Sequence, residues 1–193
     1  MYKKAIVFSK KNNFLFSDTI DNNIFGYYKW QREIRMIKTN AMRIVENAKV
    51  EYKVYEYEPP LQLDAVSIAK TLNKPEEQMF KTLVTQAPTG EHGFTHFVFV
   101  IPSNCELNVK KAAAVAGVKS LEMLPLKKLL PLTGYVHGGC SPLGMKKNFP
   151  TFIDETAILF DTFCISGGKI GITLELNAEK LAKVIGATFA DLT

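Results

Sequence analysis

The sequence predicts one domain of the mixed α/β class, built on a strongly curved, mixed β-sheet with helices around it. Short segments of helical periodicity alternate with apolar segments of period two, and several of these strands follow one another closely in the second half of the chain. This alternation is typical of α+β and mixed α/β domains. A length of 193 residues fits one domain, or one domain with an appendage.

The first 35 residues differ from the remainder and are predicted to lie outside the folded domain. They are rich in Lys, Asn and aromatic residues and show no sustained helical or strand period. They contain seven basic and three acidic residues, so they carry +4 of the net charge of +5. We therefore place an N-terminal extension at 1–35 and the domain at 36–193, and favour Met36 as the start of translation.

Capping residues and periodicity predict the elements of the first half of the domain. Thr39 or Asn40 begins a helix with apolar residues at helical spacing, and Asp64 caps a second helix that runs to Leu72. Strands are predicted at 52–57, 79–85 and 95–101, with a turn at 88–93.

The second half is predicted to be richer in strands. Asn108 caps a helix that Gly117 ends, and a helical turn spans 125–130. Asn177 caps a last helix that ends at Gly186. Short strands are predicted near Leu121 and at 135–137, 151–154, 157–160, 163–166, 170–176 and 189–192.

Composition argues against several functional classes. Without the extension the net charge is only +1, so a broad nucleic-acid footprint is absent and any such contact is expected to be local and salt-sensitive. No apolar run approaches the roughly 20 residues of a membrane span, and we expect a cytoplasmic protein without membrane contact. Cys105, Cys140 and Cys164 lack metal-ligand spacing, which indicates reduced thiols and predicts neither a metal nor a cofactor.

Lys81 is the first candidate for chemistry. Strand alternation places it on one face between Met79 and Leu83, an unusual position for an amine if that face is buried. A lysine held near a pocket can bind a phosphate or a ribose hydroxyl. The alternative is an edge-strand lysine that deters aggregation.

A loop rich in glycine and proline, from Gly134 to Lys147, is the second candidate. Glycines 138, 139 and 144 allow close approach of the backbone to a ligand, and their N–H groups can hold a carbonyl or a developing oxyanion. Pro142 stiffens the loop, and Lys146 and Lys147 beside it could meet a phosphate. The alternative is a plain turn between strands.

A second glycine-rich turn, ISGGKIG at 165–171, begins with Ser166 and lacks phosphate-loop spacing, so a simple hairpin turn is the stronger interpretation. His137 and Cys140 lie three residues apart, but no third group is evident to orient them as a thiol–imidazole pair.

Taken together, these segments resemble the YbaK/EbsC-type aminoacyl-tRNA deacylases, relatives of the editing domain inserted in bacterial prolyl-tRNA synthetases. The resemblance covers residues 36–191, approximately. The glycine-rich loop and the FKTLV strand identify the family only when they occur together. The resembling segments are YEPP at 57–60, FKTLV at 80–84, TGYVHGGCSPLGMKK at 133–147, PTFID at 150–154, SGGK at 166–169, LEL at 174–176 and FADL at 189–192.

The resemblance implies a compact domain with a barrel-like sheet that hydrolyses mischarged tRNA. It implies Cys-tRNA(Pro) as substrate, with looser action on Cys-tRNA(Cys), in trans and in association with prolyl-tRNA synthetase. Thr173 stands where the family often carries Asp, which leaves the side-chain preference less certain. The candidate catalytic residues are Lys81, Gly138 and Gly139, and the candidate substrate-binding residues are Tyr57, Thr82, Ser141, Pro142, Gly144 and Ser166.

Two other functions stay open from the sequence. One is deacylation of Ala-tRNA(Pro), as in other branches of the superfamily. The other is a non-catalytic module that grips a tRNA end or a synthetase. With no protein triad visible, the hypothesis that favours Cys is attack by the substrate's own thiol on its ester carbonyl.

Overall fold

A computed structural model of the chain describes residues 6–9, 38–58, 65–89 and 93–193. Asp64 and the centre of the turn at 88–93 lie outside these ranges. The five helices of the described residues are α1 Asn40–Asn47, α2 Ala65–Leu72, α3 Val109–Val115, α4 Leu126–Thr133 and α5 Ala178–Ile185. The strands are β1 Ile6–Ser9, β2 Tyr52–Glu56, β3 Phe80–Pro88, β4 Phe94–Pro102, β5 Glu122–Met123, β6 Thr151–Asp154, β7 Phe163–Ser166, β8 Ile172–Leu176 and β9 Thr188–Ala190, and two 3-10 helices span Glu76–Gln78 and Glu155–Leu159.

The strands form two sheets, which confirms the mixed α/β class. The first sheet has the order β1-β2-β8-β7 and is antiparallel throughout. The second has the order β5-β3-β4-β6-β9, in which β3 is antiparallel to β4 and β5, while β6 is parallel to β4 and β9. The second sheet is therefore mixed, as expected.

The predicted strongly curved, barrel-like sheet is not supported, because neither sheet is closed or strongly curled. An isolated parallel bridge between Met79 and Cys164 connects the start of β3 to β7. Closing a barrel requires a continuous staggered ladder of hydrogen bonds, and one bridge is too short for that. The bridge nevertheless holds the two sheets side by side.

Two predicted strands are wrong. The segment 135–137 leads into a turn, because the buried Tyr135 side chain folds back and its hydroxyl donates to the Leu143 carbonyl at 2.6 Å. The segment 157–160 falls mainly in the second 3-10 helix, since the Asp154 carboxylate accepts the Thr156 N–H at 3.1 Å and caps it. Both cases show local side-chain hydrogen bonds overriding an apolar pattern.

Four residues of the N-terminal segment, Ile6–Ser9, pair with β2 at the edge of the first sheet. The sequence interpretation placed all of 1–35 outside the fold, and this strand lies within that segment. The other residues of the segment lie outside the described ranges, and a domain boundary at Met36 stays a prediction.

The largest core cluster draws residues from both sheets. The first sheet contributes Val54 and Leu174, and the second contributes Phe80 and Val100. Apolar residues of α1 and α5 complete this cluster. Thr39 caps α1 by accepting the Met42 N–H, as its sequence position predicts. The opposite, outer face of the first sheet packs on α2, and this outer face carries the polar residues considered below.

A buried carboxylate network fixes this outer face. Glu175 on β8 accepts hydrogen bonds from the Tyr55 hydroxyl, from Thr162 Oγ1 at 2.7 Å and from Lys74 Nζ at 2.9 Å. Burial alone would raise the pKa of Glu175, but these donors outweigh it and hold the pKa at about 2.

We expect Glu175→Gln to lose about 3 kcal/mol of unfolding free energy at pH 7. A folded pKa near 2, below the unfolded value of 4.5, gives stabilisation that is complete above pH 4.5 and is lost as the pH falls toward 2. Urea unfolding between pH 7 and pH 2.5 measures this, with Glu179→Gln at an exposed position of α5 as the matched control. If the unfolding free energy of Glu175→Gln fell with decreasing pH as steeply as that of wild type, the low pKa could not belong to Glu175.

Candidate functional site

Two candidate side chains, those of Tyr57 and Ser166, lie on the outer face of the first sheet together with Thr173. Ser166 is the Cα partner of Thr173, and Tyr55 is the partner of Thr173 from the other side. Directly paired residues point to the same face, and residues two apart on a strand share a face. Tyr57 therefore joins Ser166 and Thr173 on this face. The Tyr57 hydroxyl and Thr173 Oγ1 are 3.4 Å apart, which confirms the geometry.

Lys81 reaches the same face from the second sheet. Met79 pairs with Cys164 in parallel, so continuing that register by two residues brings Lys81 beside Ser166. Lys81 is partly exposed, and its Nζ donates to the Ser103 carbonyl at 3.2 Å. An ammonium has three donors, so this contact leaves capacity for a ligand oxygen.

The hydroxyl groups of this site are kept in their neutral form. Burial raises the pKa of Tyr57, although the hydrogen bond with Thr173 partly offsets it. Ser166 Oγ accepts the Gly168 N–H at 3.2 Å, which orders the turn that joins β7 to β8. The site therefore presents one cation and several hydroxyls, a set suited to phosphate, ribose and carbonyl oxygens.

The two glycine-rich segments pack against each other beside this face. A Cβ at Gly139 would lie 3.1 Å from the Ile170 nitrogen, and a Cβ at Gly168 would lie 3.0 Å from the Tyr135 ring. Only residues without a side chain allow this approach. The loop after α4 is thereby held next to the turn that begins at Ser166.

The two candidate amide donors of the loop differ in their availability. Gly138 is exposed, with a positive φ of 78° that favours glycine. The Gly139 N–H donates to the Val136 carbonyl at 3.1 Å and closes the turn. Gly138 is therefore the better placed of the two for a ligand carbonyl.

Four other candidate residues do not face the site. Strand alternation turns Thr82 to the face opposite Lys81, where its buried Oγ1 has no hydrogen-bond partner within the described residues. Ser141 is fully buried and accepts the Leu143 N–H, and Pro142 is buried beside it. Gly144 packs on α1, where its carbonyl accepts from Asn40 Nδ2 at 3.2 Å. Ser141, Pro142 and Gly144 therefore hold the loop against the body of the domain.

The buried thiols are poor nucleophiles. Burial raises the pKa of Cys140 to about 12. Burial first, and the nearby Glu175 charge second, raise the pKa of Cys164 to about 12 as well. A thiol with such a pKa carries almost no thiolate at neutral pH. The described residues contain no group of three His, Cys, Asp or Glu side chains that could hold a metal.

Sequence reasoning missed one residue of this region and noted another only as a departure from the family pattern. Thr173, which stands where the family often carries Asp, contacts Tyr57 and pairs with Ser166 across the hairpin. Tyr135 joins the two loops by its hydrogen bond to Leu143 and its contact with Gly168, and no sequence pattern marks that role.

Comparison with known proteins identifies the family of the chain. Residues 60–184 match the aminoacyl-tRNA editing domain family. Over 158 residues the chain is 46% identical to the Enterococcus faecalis protein named "Putative Cys-tRNA(Pro)/Cys-tRNA(Cys) deacylase EbsC", covering 81% of this chain and 93% of that relative. Across the described part of the chain, no helix has the length and apolar character that crossing a bilayer requires.

Two solved structures share the fold. The crystal structure of hypothetical protein APE2540 has a TM-score of 0.72 at 22% identity, covering 80% of this chain and 99% of its own. The crystal structure of "a putative trans-editing enzyme for prolyl tRNA synthetase" has a TM-score of 0.66 at 24% identity. The match covers 80% of this chain and 98% of that one. At these sequence identities, structural similarity shows the fold alone. The match to the family, in contrast, spans more than half of the sequence and shows which family the chain belongs to. The chain belongs to the aminoacyl-tRNA editing domain family.

Proposed function

We propose that this chain deacylates Cys-tRNA(Pro), and also Cys-tRNA(Cys), acting in trans beside prolyl-tRNA synthetase in the cytoplasm, where charged tRNA is used. Family membership and the name of the 46% identical relative support the reaction class and the cysteinyl substrate. The structural observation that supports the proposal is the shared face of Ser166, Thr173 and Tyr57, with Lys81 beside Ser166 when the register of the Met79 bridge is continued.

Each group has a role that follows from its chemistry. The Lys81 ammonium binds the terminal phosphate or the ribose of the tRNA, since it is a compact cation with rotatable donors. The exposed Gly138 amide donates to the ester carbonyl and to the oxyanion that develops on it. The hydroxyls of Ser166 and Thr173 border the same space and orient the aminoacyl group. An aminoacyl ester is already activated, so positioning and charge stabilisation suffice.

The nucleophile comes from the substrate. The four site side chains supply hydroxyls and one amine but no imidazole or carboxylate, and the nearby thiols are protonated. The cysteinyl sulfur attacks its own ester carbonyl, forming a C–S bond as the C–O bond to ribose breaks. The thiol proton passes to the departing ribose oxygen, and water then opens the cyclic thioester to free cysteine. The mechanism excludes amino acids that lack a thiol.

The second candidate substrate, Ala-tRNA(Pro), needs water as the nucleophile and therefore a protein base. Glu175 shares this face, but its carboxylate already accepts hydrogen bonds from Tyr55, Thr162 and Lys74, and its pKa of about 2 makes it a weak base. Burial raises the pKa of Tyr57, so its hydroxyl is protonated at neutral pH. The geometry therefore favours the cysteinyl substrate over the alanyl one.

Multiple-turnover deacylation separates the enzyme from a binding module. With the full chain at one hundredth of the Cys-tRNA(Pro) concentration, we expect release of many equivalents of cysteine at a rate well above that in buffer. A module that only grips the acceptor end would shield the ester at equimolar concentration and release nothing extra at catalytic concentration. That second result would refute the proposed function.

A further inference from the structure

A cleft of about 330 Å³ opens on the protein surface away from Lys81. It lies between α4 and the first residues of β4, and its lining residues are His96, Lys127, Lys128, Pro131 and Leu132. The floor is apolar and the two lysines are exposed at its side. None of the roles assigned above uses this cleft.

The cleft lies in a part of the domain that carries positive charge without acidic residues. Residues 125–150 include Lys127, Lys128, Lys146 and Lys147 and not one Asp or Glu. Within the described ranges, ion pairs form at lysines 38, 53, 74 and 111, and none of the four cleft-side lysines takes part in one. The domain as a whole is nearly neutral, so this local excess of positive charge is a focused field that attracts a polyanion.

Aromatic contacts order two of the residues that line the cleft. Lys128 Nζ lies 5.1 Å from the centroid of the Phe94 ring, and His96 packs edge-on against Phe149 at 5.9 Å. Burial lowers the pKa of His96, with further lowering from the Lys128 and Lys147 charges. His96 is therefore neutral at pH 7 and contributes packing but no charge to the cleft.

The cleft and the candidate active site share one loop. Lys146 Nζ donates to the Pro131 carbonyl at 3.3 Å, and its aliphatic stem packs 3.4 Å from a Cβ position on Gly134. Further along the same loop, Gly139 contacts the turn after Ser166. A chain bound in the cleft can therefore continue along the loop to the site.

We propose that this cleft binds the sugar-phosphate backbone of the tRNA acceptor arm and so delivers the 3′ end to the Lys81 site. The proposal rests on the proposed function for the identity of the polyanion. Lysines at the rim pair with phosphates, while the apolar floor and aromatic edges accommodate the sugars. Backbone contacts of this kind position the substrate without reading its sequence.

Binding of uncharged tRNA(Pro) tests the cleft independently of catalysis. Fluorescence anisotropy of a labelled transcript is followed from 50 to 200 mM salt for the full chain and for the double variant Lys127→Ala/Lys128→Ala. We expect about tenfold weaker binding at the low-salt end and a salt slope reduced by about 2, near one unit for each lost phosphate contact. The double variant Lys180→Ala/Lys183→Ala, on exposed positions of α5, is the matched control and should bind as wild type does.

Two results would overturn the cleft proposal. One is that Lys127→Ala/Lys128→Ala binds tRNA(Pro) with the affinity and salt slope of wild type, as expected if the cleft binds an acidic protein instead. The other is that both double variants lose the same affinity for tRNA(Pro), which would indicate that binding depends on the net charge of the protein and not on the cleft. Thermal unfolding of each variant verifies that the fold is intact. A protein that shows cleft-dependent binding but no deacylation would refute the proposed function and leave the cleft assignment standing.

Discussion

Replacing Lys81 by alanine is expected to lower kcat/KM for Cys-tRNA(Pro) deacylation by about 100-fold or more, the scale of losing one contact that stabilises developing charge. The reason is that Lys81 is the one cation of the four-residue site, which the bridge at Met79 sets beside Ser166 in the strand register. Deacylation under kcat/KM conditions measures the effect.

The matched control for Lys81 is Lys70→Ala, which removes an exposed lysine from α2. It should leave the rate unchanged. Circular dichroism and thermal unfolding establish that Lys81→Ala is folded. A folded Lys81→Ala protein with a rate within about threefold of wild type would remove Lys81 from the site, because that change is far below the loss of a transition-state contact.

Leu143→Ala is expected to cost about 2–5 kcal/mol of unfolding free energy. Leu143 is 0% exposed and belongs to the largest core cluster, while its carbonyl accepts the Tyr135 hydroxyl. Truncation leaves a cavity beneath the glycine loop, because α1 and the sheets around it relax only partly.

Urea unfolding measures the loss at Leu143, with Leu130→Ala as the control. Leu130 is 50% exposed on α4, so its truncation should change the free energy by less than about 0.5 kcal/mol. Similar losses in the two variants would mean that the loop is not anchored through Leu143.

Local signals predicted much of the fold. Asn108 and Asn177 cap their helices as expected, because each carboxamide oxygen accepts N–H groups of the first turn. Gly117 and Gly186 follow the ends of these two helices with positive φ, as expected. These signals act within a few residues, so the sequence is sufficient to locate them.

Long-range pairing limited what the sequence could predict. The arrangement of two open sheets depends on the bridge between Met79 and Cys164, which no local pattern encodes. The same pairing decides that Ser166 lies beside Lys81 whereas Thr82, next in sequence, faces away. The resemblance supplied the candidate residues, and the register sorted those that share a face from those that support the loop.

The most direct test of thiol-assisted editing compares three esters on one tRNA. The full chain is incubated with Cys-, Ser- and Ala-tRNA(Pro), and release of each amino acid is followed under identical conditions. We predict rapid release of cysteine and release of serine and alanine close to the rate in buffer, because only cysteine carries the attacking sulfur. Efficient release of alanine would contradict the mechanism and assign the site to Ala-tRNA(Pro).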